Sequence, residues 1–169
     1  LPPGDIRNCI MALANTEPTM QQLLNYRFTD GSLAGQSFGN LFLAAMNGIS
    51  GSFDEAVHRM GDVLAITGRV LPVTNQDVRL EAEFHDGSRI LGESKIFYAK
   101  KINNSRIRKV RLVPERPAAL PESVRAIREA DIVVIGPGSL YTSIIPNLLV
   151  GGVVEAIMQS GALKVYVCN

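Results

Sequence analysis

Three groups of residues in this chain have the types and spacing for binding an anion. The first follows the apolar run Ile132–Ile135, where Gly136 and Gly138 bracket a proline and Ser139, Thr142 and Ser143 come next. A strand that gives way to a helix at such a corner points unpaired backbone N–H groups and a positive dipole end outward. The glycines let the chain turn and let a phosphate approach the backbone, while the hydroxyls add donors. The second group is Asp5, Arg7 and Asn8. Arg7 offers a planar fork to a phosphate, and Asp5 could hold a metal ion or a substrate hydroxyl, besides capping a helix. The third is Ser37, Gly39 and Asn40, where serine caps a helix and glycine leaves first-turn N–H groups open. The Asn40 amide could then read a base or sugar edge. Were these three helix starts to meet at one sheet edge, they would line a phosphate pocket.

Several familiar chemistries are excluded. A dinucleotide fingerprint would need glycine at Tyr141, and no Gly-Lys-Ser/Thr ending makes a P-loop. No nucleophile–histidine–carboxylate set or zinc spacing can be assembled. His58 falls on the polar side of its helix and reads as solvated, and His85 reads as a turn residue. The basic run Lys100, Lys101, Arg106, Arg108, Lys109 and Arg111 brings no aromatic stacking platform. Interleaved with Ile107, Val110 and Leu112, it reads as the wet face or edge of a strand rather than a nucleic-acid surface.

The elements that must position these groups follow from periodicity. Ile6, Cys9, Ile10 and Leu13 predict a first helix, with Asp5 at its cap and the prolines at 2 and 3 closing the loop before it. Met20, Leu23, Leu24 and Phe28 predict a second, ended by Asp30–Gly31. Ser37 to Asn47 is apolar nearly all round and predicts a buried helix. Ser52 and Glu55 form a capping box for a helix with an apolar face at Phe53, Ala56, Val57, Met60, Val63 and Leu64.

The pattern then changes. Gly68 to Thr74, Val78 to Phe84, Ile90 to Ala99 and Ile107 to Val113 predict strands, with Asp86–Gly87 as a hairpin turn. Residues 66–113 are thus an antiparallel β section within a single α/β domain spanning 1–169. Pro121 opens a helix, and strand Ile132–Ile135, a helical region through Gln159 and strand Lys164–Cys168 predict a β-α-β unit. Pro146 is expected to push Ile145 out of helical geometry.

A chain of 169 residues with 46% hydrophobic and 20% charged content is an ordinary globular domain. Its net charge of +1 gives no electrostatic reason to expect nucleic acid or an acidic membrane. Two cysteines, Cys9 and Cys168, make no disulfide framework and suit a reducing cytoplasm. No apolar run is long enough for a membrane span.

The strings PPGDIRN, GQSFGNLFLAA and GPGSLYTSIIPNLLV, in that order, resemble signatures of the CofD-like superfamily, in its bacterial gluconeogenesis-factor branch. Gln36 stands where that pattern more often has histidine. The family begins with a strand, a GGGTG loop and an Asp-Asp-Gly-Gly segment, and continues into MTQPGET, so the chain reads as truncated at both ends. The resemblance implies a Rossmann-like, mainly parallel sheet flanked by helices. It implies a cytosolic regulator that binds a nucleotide sugar or nucleotide, with UDP-N-acetylglucosamine foremost, and couples carbon metabolism to cell-wall synthesis and cell shape. Asp5, Arg7, Asn8, Ser37, Gly39, Asn40, Gly136, Gly138, Ser139, Thr142 and Ser143 are then the ligand-binding set. No cofactor is required, a cell-wall synthesis protein is the expected partner, and there is room for a homodimer. The alternative it implies is a transferase of the 2-phospho-L-lactate transferase type, in which Asp5 would hold Mg²⁺ against substrate phosphates.

Overall fold

The computed structural model describes residues 4–102 and 105–168, with the side chains of residues 4 and 100–102 left aside. The prolines at 2 and 3, and the side chains of Lys100 and Lys101, lie outside the described residues. The chain divides into two compact units, one up to Asn75 and one from Gln76 onward.

The first unit is helical: α1 (Gly4–Leu13), α2 (Pro18–Asn25), a single 3-10 turn (Gly31–Leu33), α3 (Phe38–Gly48) and α4 (Phe53–Val63). Its core is Ile10, Leu24, Leu43, Met46, Ala56, Val57, Met60 and Leu64, one or more from each α-helix. A leucine in such a site is worth about 2–5 kcal/mol against alanine. Helix α3 is the hub, packing on α1, α2 and α4. It is buried along Gly39, Leu43 and Met46 only, with Phe38 and Phe42 half-buried and Ala45 exposed, so the expectation of burial all round is too strong. Both predicted caps form. Ser37 Oγ accepts from the Asn40 N–H and Ser52 Oγ from the Glu55 N–H. The Glu55 carboxylate reaches back to the Gly51 N–H rather than to that of Ser52.

Two boundaries differ from expectation. Asp5 lies inside the first turn of α1 rather than at its cap, because the helix already includes Gly4. Helix α2 ends at Asn25, five residues before Asp30–Gly31, since the Tyr26 backbone turns extended and its N–H closes on the Leu23 carbonyl.

The second unit opens with an antiparallel sheet of order β2-β1-β3, formed by β1 (Arg79–Phe84), β2 (Arg89–Leu91) and β3 (Ile107–Val113). Strands β1 and β2 join at the predicted Asp86–Gly87 turn, where Gly87 takes a left-handed φ of 83°. Leu80, Ala82, Phe84, Ile107, Val110 and Leu112 bury one face. On the wet face Arg108 pairs with Glu83 at 2.9 Å and Arg111 with Glu81 at 2.7 Å. Arg108, Lys109 and Arg111 are therefore on the solvated side of a strand, as their alternation implied, whereas Arg106 precedes that strand and Lys100 and Lys101 fall in a helix.

One predicted strand of this section does not form and another is cut short. Gly68 to Thr74 is irregular. The predicted strand Ile90 to Ala99 stops at Leu91, and Glu93–Ile102 is a helix, α5, which buries Ile96 and packs on β1. Gly92, at φ 105°, makes the break, in a conformation that other residues avoid.

The β-α-β unit follows: α6 (Pro121–Glu129), β4 (Ile132–Ile135), a π-helical turn (Leu140–Ile144), α7 (Ile145–Leu148), α8 (Val153–Gln159) and β5 (Leu163–Tyr166). Strands β4 and β5 pair in parallel, Ile132 with Leu163 through Ile135 with Tyr166. Helices α6 and α8 pack on each other. The fold is thus α/β, with a parallel unit preceded by an antiparallel section. The helical region before Gln159 is two helices, separated at Gly151–Gly152, where Gly152 has φ 96°. Ile145 is helical, at φ −57° and ψ −42°, against the expectation drawn from Pro146. The i→i−5 bond from its N–H to the Leu140 carbonyl holds it there.

Candidate functional site

Arg7 sits in the first turn of α1, half-buried, and its Nη1 donates to Ser37 Oγ at 3.0 Å. Its Nη2 donates to Asn8 Oδ1 at 2.5 Å. Ser37 is only 1% exposed, and its Oγ also accepts from the Asn40 N–H at 3.3 Å. A hydroxyl oxygen has two lone pairs, and here both are filled, one by a cation and one by a first-turn N–H of α3. Arg7, Asn8, Ser37 and Asn40 thus form one hydrogen-bonded group.

Two polar atoms in this group are buried without a protein partner, Arg7 Nε and Asn40 Oδ1. Buried polar atoms are nearly always satisfied, so an orphan donor and an orphan acceptor in one cluster mark it as more than packing. The positive end of α3 and the guanidinium reinforce each other for an anion. Asp5 is exposed, two residues before Arg7 in the first turn of α1. Partial desolvation of the thiol first, and the Asp5 carboxylate second, push the pKa of Cys9 up, although the residue is exposed. Gly39 is buried, and the space a side chain would take is filled by Arg7 and the Leu24 carbonyl.

The glycine corner belongs to the second unit. Gly136 has φ 89°, and a Cβ there would lie 2.6 Å from the Val167 carbonyl oxygen. Its first duty is to let the end of β5 pass close, where the Val167 N–H bonds to Ile135. Gly138 is freer. A Cβ at that position would meet Ile144 and Ser143 side chains at an ordinary 3.4 Å. Ser139 is exposed, and its carbonyl accepts from the Ser143 and Ile144 N–H groups, which winds the π turn. Such turns recur at functional positions in helices. Thr142 and Ser143 are half-buried within it.

A feature that the sequence did not reveal is an open cavity of about 380 Å³ against the C-terminal half of α4. It is lined by Val57, His58, Asp62, Ile66, Arg69 and Val70 among others, and by none of the predicted site residues. His58, expected to be solvated, is half-buried there. Among the described residues no group of three or more His, Cys, Asp or Glu could hold a metal ion. No helix among them is long and apolar enough to cross a membrane.

The family described as 2-phospho-L-lactate transferase CofD matches residues 1–169. A protein from Thermoanaerobacterium thermosulfurigenes is 61% identical over 169 residues, which is all of this chain and 52% of that protein. The gluconeogenesis factor of Bacillus subtilis is 50% identical, across 99% of this chain and 52% of its own. A crystal structure of a Bacillus halodurans protein superposes with a TM-score of 0.92 at 48% identity, covering 99% of this chain and 53% of that one. The chain spans about half the length of the relatives it matches.

Proposed function

Since the chain belongs to the CofD family, we propose that it acts as the ligand-binding part of a gluconeogenesis factor, a regulator that takes a nucleotide sugar, UDP-N-acetylglucosamine foremost. The observation that carries this reading is the Arg7–Ser37 pair at the start of α3. While the first-turn N–H groups of Phe38 and Asn40 already serve the Tyr26 carbonyl and Ser37 Oγ, a diphosphate offers oxygens that a guanidinium at the positive end of α3 is suited to receive. Thr142, Ser143 and the Gly138 backbone offer the same chemistry at the corner after β4. Relatives named gluconeogenesis factor support a role in gluconeogenesis. In this reading the ligand reports carbon status in the cytoplasm to a partner in cell-wall synthesis, and so to cell shape.

The family's description favours a second reading, transfer of a phospho-acid or nucleotidyl group. Mg²⁺ is commonly held by one or two carboxylates together with substrate phosphates. The single exposed carboxylate of Asp5 fits such a shared site and does not make a cage of its own. The ion would neutralise charge developing on the phosphates.

A thermal-shift screen of the full-length protein against nucleotides, UDP-sugars and deazaflavin precursors tests both. At a hundred times its dissociation constant, a true ligand stabilises by about 2.7 kcal/mol. A shift with UDP-N-acetylglucosamine in the presence of chelator supports the regulator. A shift confined to deazaflavin precursors with Mg²⁺ replaces it with the transferase.

A further inference from the structure

We propose that Gly39 is a positioning residue for Arg7: the stem of that arginine, together with the Leu24 carbonyl, occupies the space a side chain there would need. The inference rests on the reading of Arg7 as the contact to the anionic ligand. A Cβ built on residue 39 would lie 2.8 Å from Arg7 Cδ, 3.3 Å from its Cγ and 2.7 Å from the Leu24 carbonyl oxygen. Real Cβ atoms essentially never approach below 3.0 Å, so something must shift. Leu24 is a buried core residue of α2, and α2 packs on α3. The Arg7 side chain is the flexible member, so it moves first and furthest.

Its tip has little freedom to follow. Nη1 is tied to Ser37 and Nη2 to Asn8, by bonds whose geometry depends on where the stem lies. Ser37 caps α3 and Gly39 lies in its first turn, so one helix start holds the arginine twice, at its tip by a hydroxyl and along its stem by an empty notch. Nε, between stem and tip, is buried without a partner. Packing along the stem, rather than a bond at Nε, therefore sets the plane of the fork. An arginine held in one geometry loses less entropy on meeting a phosphate than a free one does.

The test uses the full-length protein as Gly39→Ala, Arg7→Ala and the double variant, with UDP-N-acetylglucosamine as the calorimetric probe. Gly39→Ala is expected to weaken binding tenfold or more, and to add nothing in the Arg7→Ala background. A Gly39→Ala loss that persists undiminished without Arg7 overturns the proposal. Melting temperature supplies a second reading that needs no ligand. Arg7→Ala removes Cγ and Cδ, so it should restore part of the stability lost in Gly39→Ala. A double variant no more stable than Gly39→Ala overturns the proposal, even if the single variant cannot be purified. A parent that fails to bind the probe defeats the proposed function instead, and the stability cycle still decides the role of Gly39.

Discussion

Arg7 Nη1 donates to Ser37 Oγ across 3.0 Å, joining the first turn of α1 to the residue that caps α3. One hydroxyl therefore has two tasks, ending a helix and steadying a cation. Ser37→Ala should remove both. The fold is expected to lose about 1–3 kcal/mol in urea unfolding, from the lost cap and the charge-assisted bond. Nucleotide-sugar affinity should fall with it. An unchanged unfolding midpoint would separate the serine from α3.

The two glycines of the corner should behave differently. Gly136→Ala forces a left-handed φ on a residue with a side chain and drives its Cβ into the Val167 carbonyl, so it should destabilise by at least about 1–2 kcal/mol. Gly138→Val meets only ordinary contacts at its Cβ and should melt near the parent while blocking the ligand. A Gly138→Val protein that melts normally and binds with parental affinity would show that the corner takes no part in binding.

The start of α4 provides a pH test. The Ser52 hydroxyl first, and the Asn75 amide at 2.7 Å second, bond the Asp54 carboxylate and hold its carboxyl below the ordinary 3.8. A lowered value in the fold means that this stabilisation is complete above about pH 4 and lost as pH falls through the folded value. Asp54→Asn should therefore flatten the acid limb, with midpoints at about pH 5 and pH 3 closer together than in the parent. Equal acid sensitivity in both proteins would contradict this.

How much of this was legible depends on the range of each interaction. The Ser37 and Ser52 caps and the Asp86–Gly87 turn are decided within four residues, and sequence spacing read them correctly. Helix α5 reads as strand because Ile96, Phe97 and Tyr98 are β-branched or aromatic, but Gly92 ends the strand and contact with β1 holds the helix. Ile145 was misread because a bond back to Leu140 overrode the restriction that a following proline imposes. At the site, residue types were readable one group at a time. The Arg7–Ser37 bond spans 30 positions, and spacing cannot show it. The filled notch at Gly39 is likewise a property of packing alone.

The parallel pair predicts how the 169-residue chain behaves by itself. Parallel strands are ordinarily covered on both faces. Here Ile132 and Val134 are each 56% exposed, and Leu163 and Tyr166 are 63% and 53% exposed. Such apolar area invites self-association. Expressed alone, the chain should be oligomeric or unstable and bind nucleotides poorly, whereas a protein of its relatives' length should be monodisperse. Light scattering and calorimetry on the two decide it. A monodisperse, cooperatively folding monomer of 169 residues with full affinity would refute the expectation.

The most direct test of the central claim is a calorimetric titration of the full-length protein with UDP-N-acetylglucosamine in chelator, beside Arg7→Ala and Asp5→Asn. Arg7→Ala removes a charge-assisted contact worth about 1.5–3 kcal/mol, roughly ten- to a hundredfold in affinity. Asp5→Asn leaves α1 intact, because Asp5 is exposed in its first turn and makes no part of the core. It removes the charge that a Mg²⁺ site would need, while a metal-free anion site loses only a repulsive neighbour. The account predicts binding without metal, a loss of that size in Arg7→Ala, and retained or tighter binding in Asp5→Asn. Binding that needs Mg²⁺, disappears in Asp5→Asn and is accompanied by phospho-transfer in the parent would contradict it.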